Sequence, residues 1–146
     1  FFCSIGKNGV KVKKKEGDSC TPKGTFALKT VYYRADRIKF LKTKLKSKKI
    51  TRKMGWCDDP MSKKYNSLVN SNENVHHERL YRKDHKYDII VVIDYNLNNS
   101  IPFKGSAIFL HLTNNYKKTA GCIALAKKDL LILLKLIDRK TKINIS

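Results

Sequence analysis

The sequence predicts a predominantly β fold that ends in one amphipathic helix, and three stretches carry that prediction. Ile89-Ile90-Val91-Val92-Ile93 is apolar at every position, the pattern of a strand covered on both faces and therefore central in its sheet. Thr25 to Tyr33 is rich in β-branched and aromatic residues, which fit a pleated surface. Beyond residue 122 the period changes: Leu130, Leu131, Leu133, Leu134 and Ile137 fall at i, i+1, i+3, i+4 and i+7, one apolar stripe of a helix. At 146 residues the chain fits a single domain, 1–146, long enough to bury a core.

Taken in order, Phe1 to Ile5 reads as a strand, and Lys7-Asn8-Gly9 as a hairpin turn because Asn-Gly tolerates positive φ. Val10 and Val12 then alternate with lysines in a returning strand. Glu16 to Gly24 is a loop feeding the Thr25 strand. From Ile38 to Ile50 lysines interleave with Phe40, Leu41, Leu45 and Ile50, a pattern suited to an edge strand or solvated hairpin. Trp56-Cys57-Asp58-Asp59-Pro60 reads as a loop whose adjacent carboxylates would orient a substrate amine or cap the next segment. Residues 66–77 form a polar connection, and Glu78 to Asp84 a mixed-charge surface segment with His85 exposed. Ala107-Ile108-Phe109-Leu110 is a buried strand closed by His111. Asp129 near the start of the helix, and Arg139, Lys140 and Lys142 near its end, suit the helix dipole.

Thirty-two Lys and Arg against twelve Asp and Glu give a net charge of +20, which attracts polyanions. The lysines are spread over nearly every segment, and no zinc-finger, helix-turn-helix or RNA-recognition signature accompanies them, so nucleic acid is an unfavoured partner. A basic face suits a substrate with free carboxylates equally well. The four cysteines, at 3, 20, 57 and 122, contain no Cys-x-x-Cys and no zinc-ligand spacing. His77-Glu78 begins a His-Glu-x-x-His pattern, but Tyr81 stands where the second histidine belongs. No metal or cofactor is expected. The longest aliphatic runs are too short to cross a bilayer, and no signal peptide is legible. The oligomeric state is not encoded in any pattern.

The chemistry concentrates between Gly105 and Leu125. His111 closes an apolar strand, and Cys122 follows Gly121, where the backbone has freedom to turn. Eleven positions separate the two, joined by the polar segment Thr113 to Lys118. An ordinary thiol is only about 3% thiolate at neutral pH, so a nucleophilic cysteine needs a neighbour that takes its proton; imidazole is suited to that and to returning the proton to a leaving amine. Cys57 is a reserve nucleophile that lacks the preceding glycine.

His111 followed by Thr119-x-Gly121-Cys122 resembles the signature of the L,D-transpeptidase catalytic domain, the YkuD-like family that remodels peptidoglycan. Glu16-Gly17-Asp18 and Thr21-Pro22-Lys23-Gly24-Thr25-Phe26 resemble an early element of that family. Tyr33 to Arg37, Gly55 to Pro60, Tyr65-Asn66, Glu78 to Asp84 and Tyr87 to Val92 are similar to one branch of it. The resemblance implies a mainly β fold, a YkuD-like mixed β-sandwich with the C-terminal helix packed on the sheet. It implies a peptidoglycan L,D-transpeptidase in which Cys122, activated by His111, attacks the carbonyl of a diaminopimelate residue, releases D-alanine and passes the acyl group to a second stem amine. Backbone N–H groups of Gly121 and Cys122 would hold the oxyanion. The candidate substrate-binding residues are Arg34, Arg37, Asp58, Tyr81, Arg82, Ser106 and Thr119.

Water as acceptor would make the protein an L,D-carboxypeptidase, and a basic binding module for cell wall or nucleic acid is the non-enzymatic alternative. The family implies a periplasmic or cell-wall location, stem peptides as partners and acylation by carbapenems. Two departures bear on the site. Ala120 and Ala124 stand where many members carry a histidine and an arginine or asparagine. His111 would then be the sole base, and Arg34, Arg37, Arg79 or Arg82 would have to meet a substrate carboxylate.

Overall fold

The computed structural model describes residues 1–12 and 15–146. Among the described residues, twelve strands and one helix follow in chain order. They are β1 (Cys3–Ser4), β2 (Val10–Lys11), β3 (Thr21–Pro22), β4 (Gly24–Tyr33), β5 (Ser47–Lys49), β6 (Met54–Cys57), β7 (Leu68–Asn70), β8 (His77–Arg79), β9 (Ile89–Ile93), β10 (Phe109–Leu112), β11 (Ile123–Leu125), α1 (Lys127–Leu136) and β12 (Lys142–Ile145). The fold is mainly β.

A seven-stranded mixed sheet runs β1-β11-β10-β9-β4-β12, with β5 also paired to β4. The ten-residue β4 makes this possible: its first half pairs with β12, its second half with β5 and β9, and an irregularity between Leu28 and Val31 lets the sheet curl. As expected from its unbroken apolar run, β9 is central and every residue in it is buried. β7, β6 and β8 form a separate antiparallel sheet.

The two-residue period of the strands sorts the core into two clusters. Ile89, Val91 and Ile93 of β9, Leu110 and Leu112 of β10, and Ile123 and Leu125 of β11 join Leu130, Leu134 and Ile137 on the helix side. Ile90 and Val92 of β9 and Phe109 of β10 face the other way, against Trp56, Leu80 and Tyr87 beneath the small sheet. Trp56 and Phe109 meet edge to face at 5.1 Å. Their burial supplies roughly 2–3 kcal/mol per large side chain.

Several expectations are corrected. The Lys7-Asn8-Gly9 turn forms, with Gly9 at φ 81°, but its arms do not pair with each other. β1 joins β11 antiparallel and β2 joins β3 parallel, because Gly6 lies so close to residues 19–21 that a Cβ there would sit 2.5 Å from the Ser19 carbonyl oxygen. Lys13, which extends the predicted alternation, lies outside the described residues. The Ile38–Ile50 segment contributes an edge strand and no hairpin. Trp56 and Cys57 end strand β6 where loop was expected; both are buried, and Trp56 packs against Phe109 of β10. Leu68–Asn70 within the polar connection is its partner. The helix stops at Leu136 with Lys135 as its last-turn cation, so Lys142 belongs to β12, whose Ile143 and Ile145 turn toward the core. Among the described residues no helix is long and apolar enough to cross a membrane.

Candidate active site

His111 and Ala124 are register partners across β10 and β11. Cys122 precedes Ala124 by two residues, so strand parity turns it to the same face as His111, away from the helix, where it packs against the second core cluster. Both His111 and Cys122 line one cavity of about 550 Å³. The cysteine is a half-buried thiol outside any disulfide.

The turn before the nucleophile is built from Thr119. Residues 5–7 hold its backbone, through Thr119 N–H to the Ile5 carbonyl and Lys7 N–H to the Thr119 carbonyl. Its hydroxyl donates to the Cys122 carbonyl at 2.6 Å and accepts from Gly121 N–H at 3.1 Å. Gly121 adopts φ 140°, a conformation that disfavours a Cβ. The predicted oxyanion donor Gly121 N–H is therefore engaged by Thr119 in this structure.

Two backbone groups fix the sulfur. Cys122 Sγ donates to the Ala107 carbonyl at 3.1 Å and accepts from Phe109 N–H at 3.4 Å. The first contact favours the thiol, the second the thiolate. His111 is 7% exposed, and its Nδ1 lies 2.8 Å from the Leu112 carbonyl oxygen. A carbonyl only accepts, so Nδ1 carries the proton and Nε2 keeps its lone pair. Burial pushes the imidazole pKa below its ordinary value, with Lys86 and Arg82 acting in the same direction. Tyr87 packs against the ring at 5.4 Å between centroids.

The cavity wall carries both signs of charge: Arg82, Lys86, Lys117 and Lys118, and Glu16, Asp58 and Glu78. Among the candidate substrate residues, Asp58, Arg82, Ser106 and Thr119 line it. Asp58 is paired with His76, whose pKa it raises, and Arg82 with Asp84, whose carboxyl it holds down at about 2.

Arg34, Arg37 and Tyr81 are not among the cavity-lining residues. Arg34 is buried, forked onto Asp36, bonded to the Arg82 carbonyl and stacked 3.6 Å from the Tyr81 ring centroid. Arg37 binds Asp88 and the carbonyls of Lys83 and Asp84. These two arginines brace the 82–88 segment from behind. Cys57 is fully buried in β6 and likewise absent from the lining.

Sequence reasoning did not select Glu78 and Tyr87. The Tyr87 hydroxyl donates to Glu78 Oε1 at 2.6 Å, and burial raises the pKa of both groups. Each residue opens a block that resembles the family, but an acid and an aromatic nine positions apart do not by themselves mark a pair. Among the described residues no group of three or more His, Cys, Asp or Glu is arranged to hold a metal ion.

The family model for the YkuD L,D-transpeptidase catalytic domain matches residues 1–145. Neither the search of curated proteins nor that of solved structures found a match.

Proposed function

The chain belongs to the YkuD family of L,D-transpeptidase catalytic domains, and from that premise we propose that it is a peptidoglycan L,D-transpeptidase with Cys122 as nucleophile and His111 as general base. One observation carries this reading: the two side chains line the same cavity, and His111 has Nδ1 committed to a carbonyl, which leaves Nε2 as the proton acceptor.

His111 Nε2 takes the thiol proton as sulfur attacks the carbonyl of the diaminopimelate residue in a donor stem. The C–S bond forms and the carbonyl becomes an oxyanion, met by Cys122 N–H and by Gly121 N–H once Thr119 releases it. Each such donor is worth about 3 kcal/mol in enzymes that use one. Collapse breaks the amide bond, and His111 gives its proton to the departing D-alanine amine. The acceptor stem amine then attacks the thioester, passes a proton to His111, and the thiol is restored. Arg82, Lys86, Lys117 and Lys118 supply cations for stem carboxylates. The proposal carries with it a periplasmic or cell-wall location and acylation of Cys122 by carbapenems.

Incubation with purified disaccharide-tetrapeptide, followed by mass spectrometry, tests it. Cross-linked dimer is the expected product, absent with Cys122→Ala. Tripeptide alone would assign the L,D-carboxypeptidase reaction, with water as acceptor. Identical profiles for the two proteins would overturn the enzymatic reading in favour of a binding module.

A further inference from the structure

Two sequence blocks that the catalytic reading leaves without a task, Glu16 to Asp18 and Tyr65-Asn66, converge on one short segment, 103–107. Glu16 Oε2 accepts hydrogen bonds from the hydroxyls of Ser106, at 2.8 Å, and of Tyr65. Glu16 N–H donates to the Phe103 carbonyl at 2.6 Å, and Gly105 N–H donates to the Tyr65 hydroxyl at 3.0 Å. Asn66 Oδ1 accepts from Ala107 N–H at 3.0 Å and from Trp56 Nε1 at 2.9 Å. The segment so held is one the chain would not adopt unaided: Phe103 and Ala107 both sit at positive φ, 63° and 53°. Non-glycine residues persist there only when their surroundings over-determine them. Ala107 is also the residue whose carbonyl accepts the Cys122 S–H.

We propose that Glu16 is a positioning residue for the nucleophile: through the Ser106 and Tyr65 hydroxyls it fixes the left-handed turn at Ala107, whose carbonyl sets the direction of the Cys122 S–H bond. The proposal deepens the cysteine-nucleophile reading and rests on it for its kinetic consequence, but the geometry of the thiol is measurable without turnover. Ala107 accepts the thiol proton, so its carbonyl stabilises the neutral form. Loosening the turn removes that acceptor and admits water, and both changes favour the thiolate. The sulfur gains charge while losing its aim.

The test compares wild type with Glu16→Ala, Ser106→Ala and the conservative Glu16→Gln, which keeps an acceptor oxygen. Alkylation of Cys122 by iodoacetamide is followed against pH by mass spectrometry, and the same proteins are assayed on disaccharide-tetrapeptide. Both alanine variants are expected to move the alkylation midpoint to lower pH and to lower kcat at least tenfold with little change in KM. Glu16→Gln should restore most of both. Folded alanine variants with the wild-type midpoint would overturn the proposal, whatever their stability. A shifted midpoint in a protein whose wild type shows no turnover would leave the positioning role standing and reject the transpeptidase reading alone. Should Glu16→Ala fail to fold, Ser106→Ala decides by the same criteria.

Discussion

Cys122 and His111 share one face of the main sheet because Cys122 lies two residues before Ala124, the register partner of His111 across β10 and β11. β10 holds the histidine, and the Thr119 turn together with the start of β11 holds the cysteine. Cys122→Ala and His111→Gln are each expected to lower turnover by at least about 10³-fold, as removing a nucleophile or its base does elsewhere. Far-UV circular dichroism should remain that of the wild type. Residual turnover within tenfold of wild type in either variant would remove that residue from the mechanism.

The pH dependence follows from the burial of His111. Its imidazole titrates below the ordinary 6.5, so the base stays neutral at pH values where an exposed histidine would be largely protonated. The acid limb of kcat/KM is expected to lie below pH 6.5. Stability moves in the corresponding sense: below that value the unfolded chain binds a proton that the folded chain resists, so acid favours unfolding through this group. The Tm of His111→Gln should therefore gain on that of wild type between pH 7.5 and pH 5. An acid limb centred above 6.5, with no such gain, would place a different group in charge of the proton.

Two arginines near the site separate structure from recognition. Arg34 is 3% exposed and gives its donors to Asp36 and the Arg82 carbonyl, whereas Arg82 lines the cavity. Arg34→Ala removes a buried guanidinium and leaves the partly buried Arg82 carbonyl without its partner, at roughly 1–3 kcal/mol. That corresponds to a Tm loss of several degrees, at about 2–4 °C per kcal/mol for a domain of this size. Arg82→Ala is expected to raise KM for tetrapeptide several-fold with a smaller change in Tm. Calorimetry and steady-state kinetics on both variants check the assignment, and a reversed pattern would exchange their roles.

What was legible in the sequence is what depends on period and on local chemistry. Ile89 to Ile93 reported its central position because burial on both faces leaves no polar residue in the run, and the leucines after Cys122 reported a helix by their 3.6 spacing. The pairing of β1 was not legible: Asn-Gly favours a hairpin locally, and only the distant approach of residues 19–21 to Gly6 sends the two arms to different sheets. Trp56 and Cys57 looked like loop residues because their neighbours Asp58, Asp59 and Pro60 are polar or turn-forming, while Trp56 is in fact buried against Phe109 and Tyr32, which lie far away in the sequence. In the site, Cys122 and His111 stood out by residue type and setting. Arg34 and Arg37 were read as substrate candidates because charge marks them as reactive to a ligand, and the sequence does not say that Asp36, Asp88 and three carbonyls have already taken their donors.

Glu78 gives the last prediction. Its Oε1 accepts the Tyr87 hydroxyl at 2.6 Å, and burial raises its pKa above the ordinary 4.5. An acid with a raised folded-state pKa contributes most favourably below the unfolded value, where it is protonated in both states. That contribution is lost as pH rises through the folded pKa, because the native protein must then hold a buried carboxylate. Glu78→Gln keeps an oxygen for Tyr87 and removes the charge. Its Tm should exceed that of wild type at pH 8 and converge with it below pH 4.5. Equal differences at both pH values would mean that the carboxyl titrates alike in the folded and unfolded chain, and that the cavity wall does not penalise a negative charge beside Tyr87.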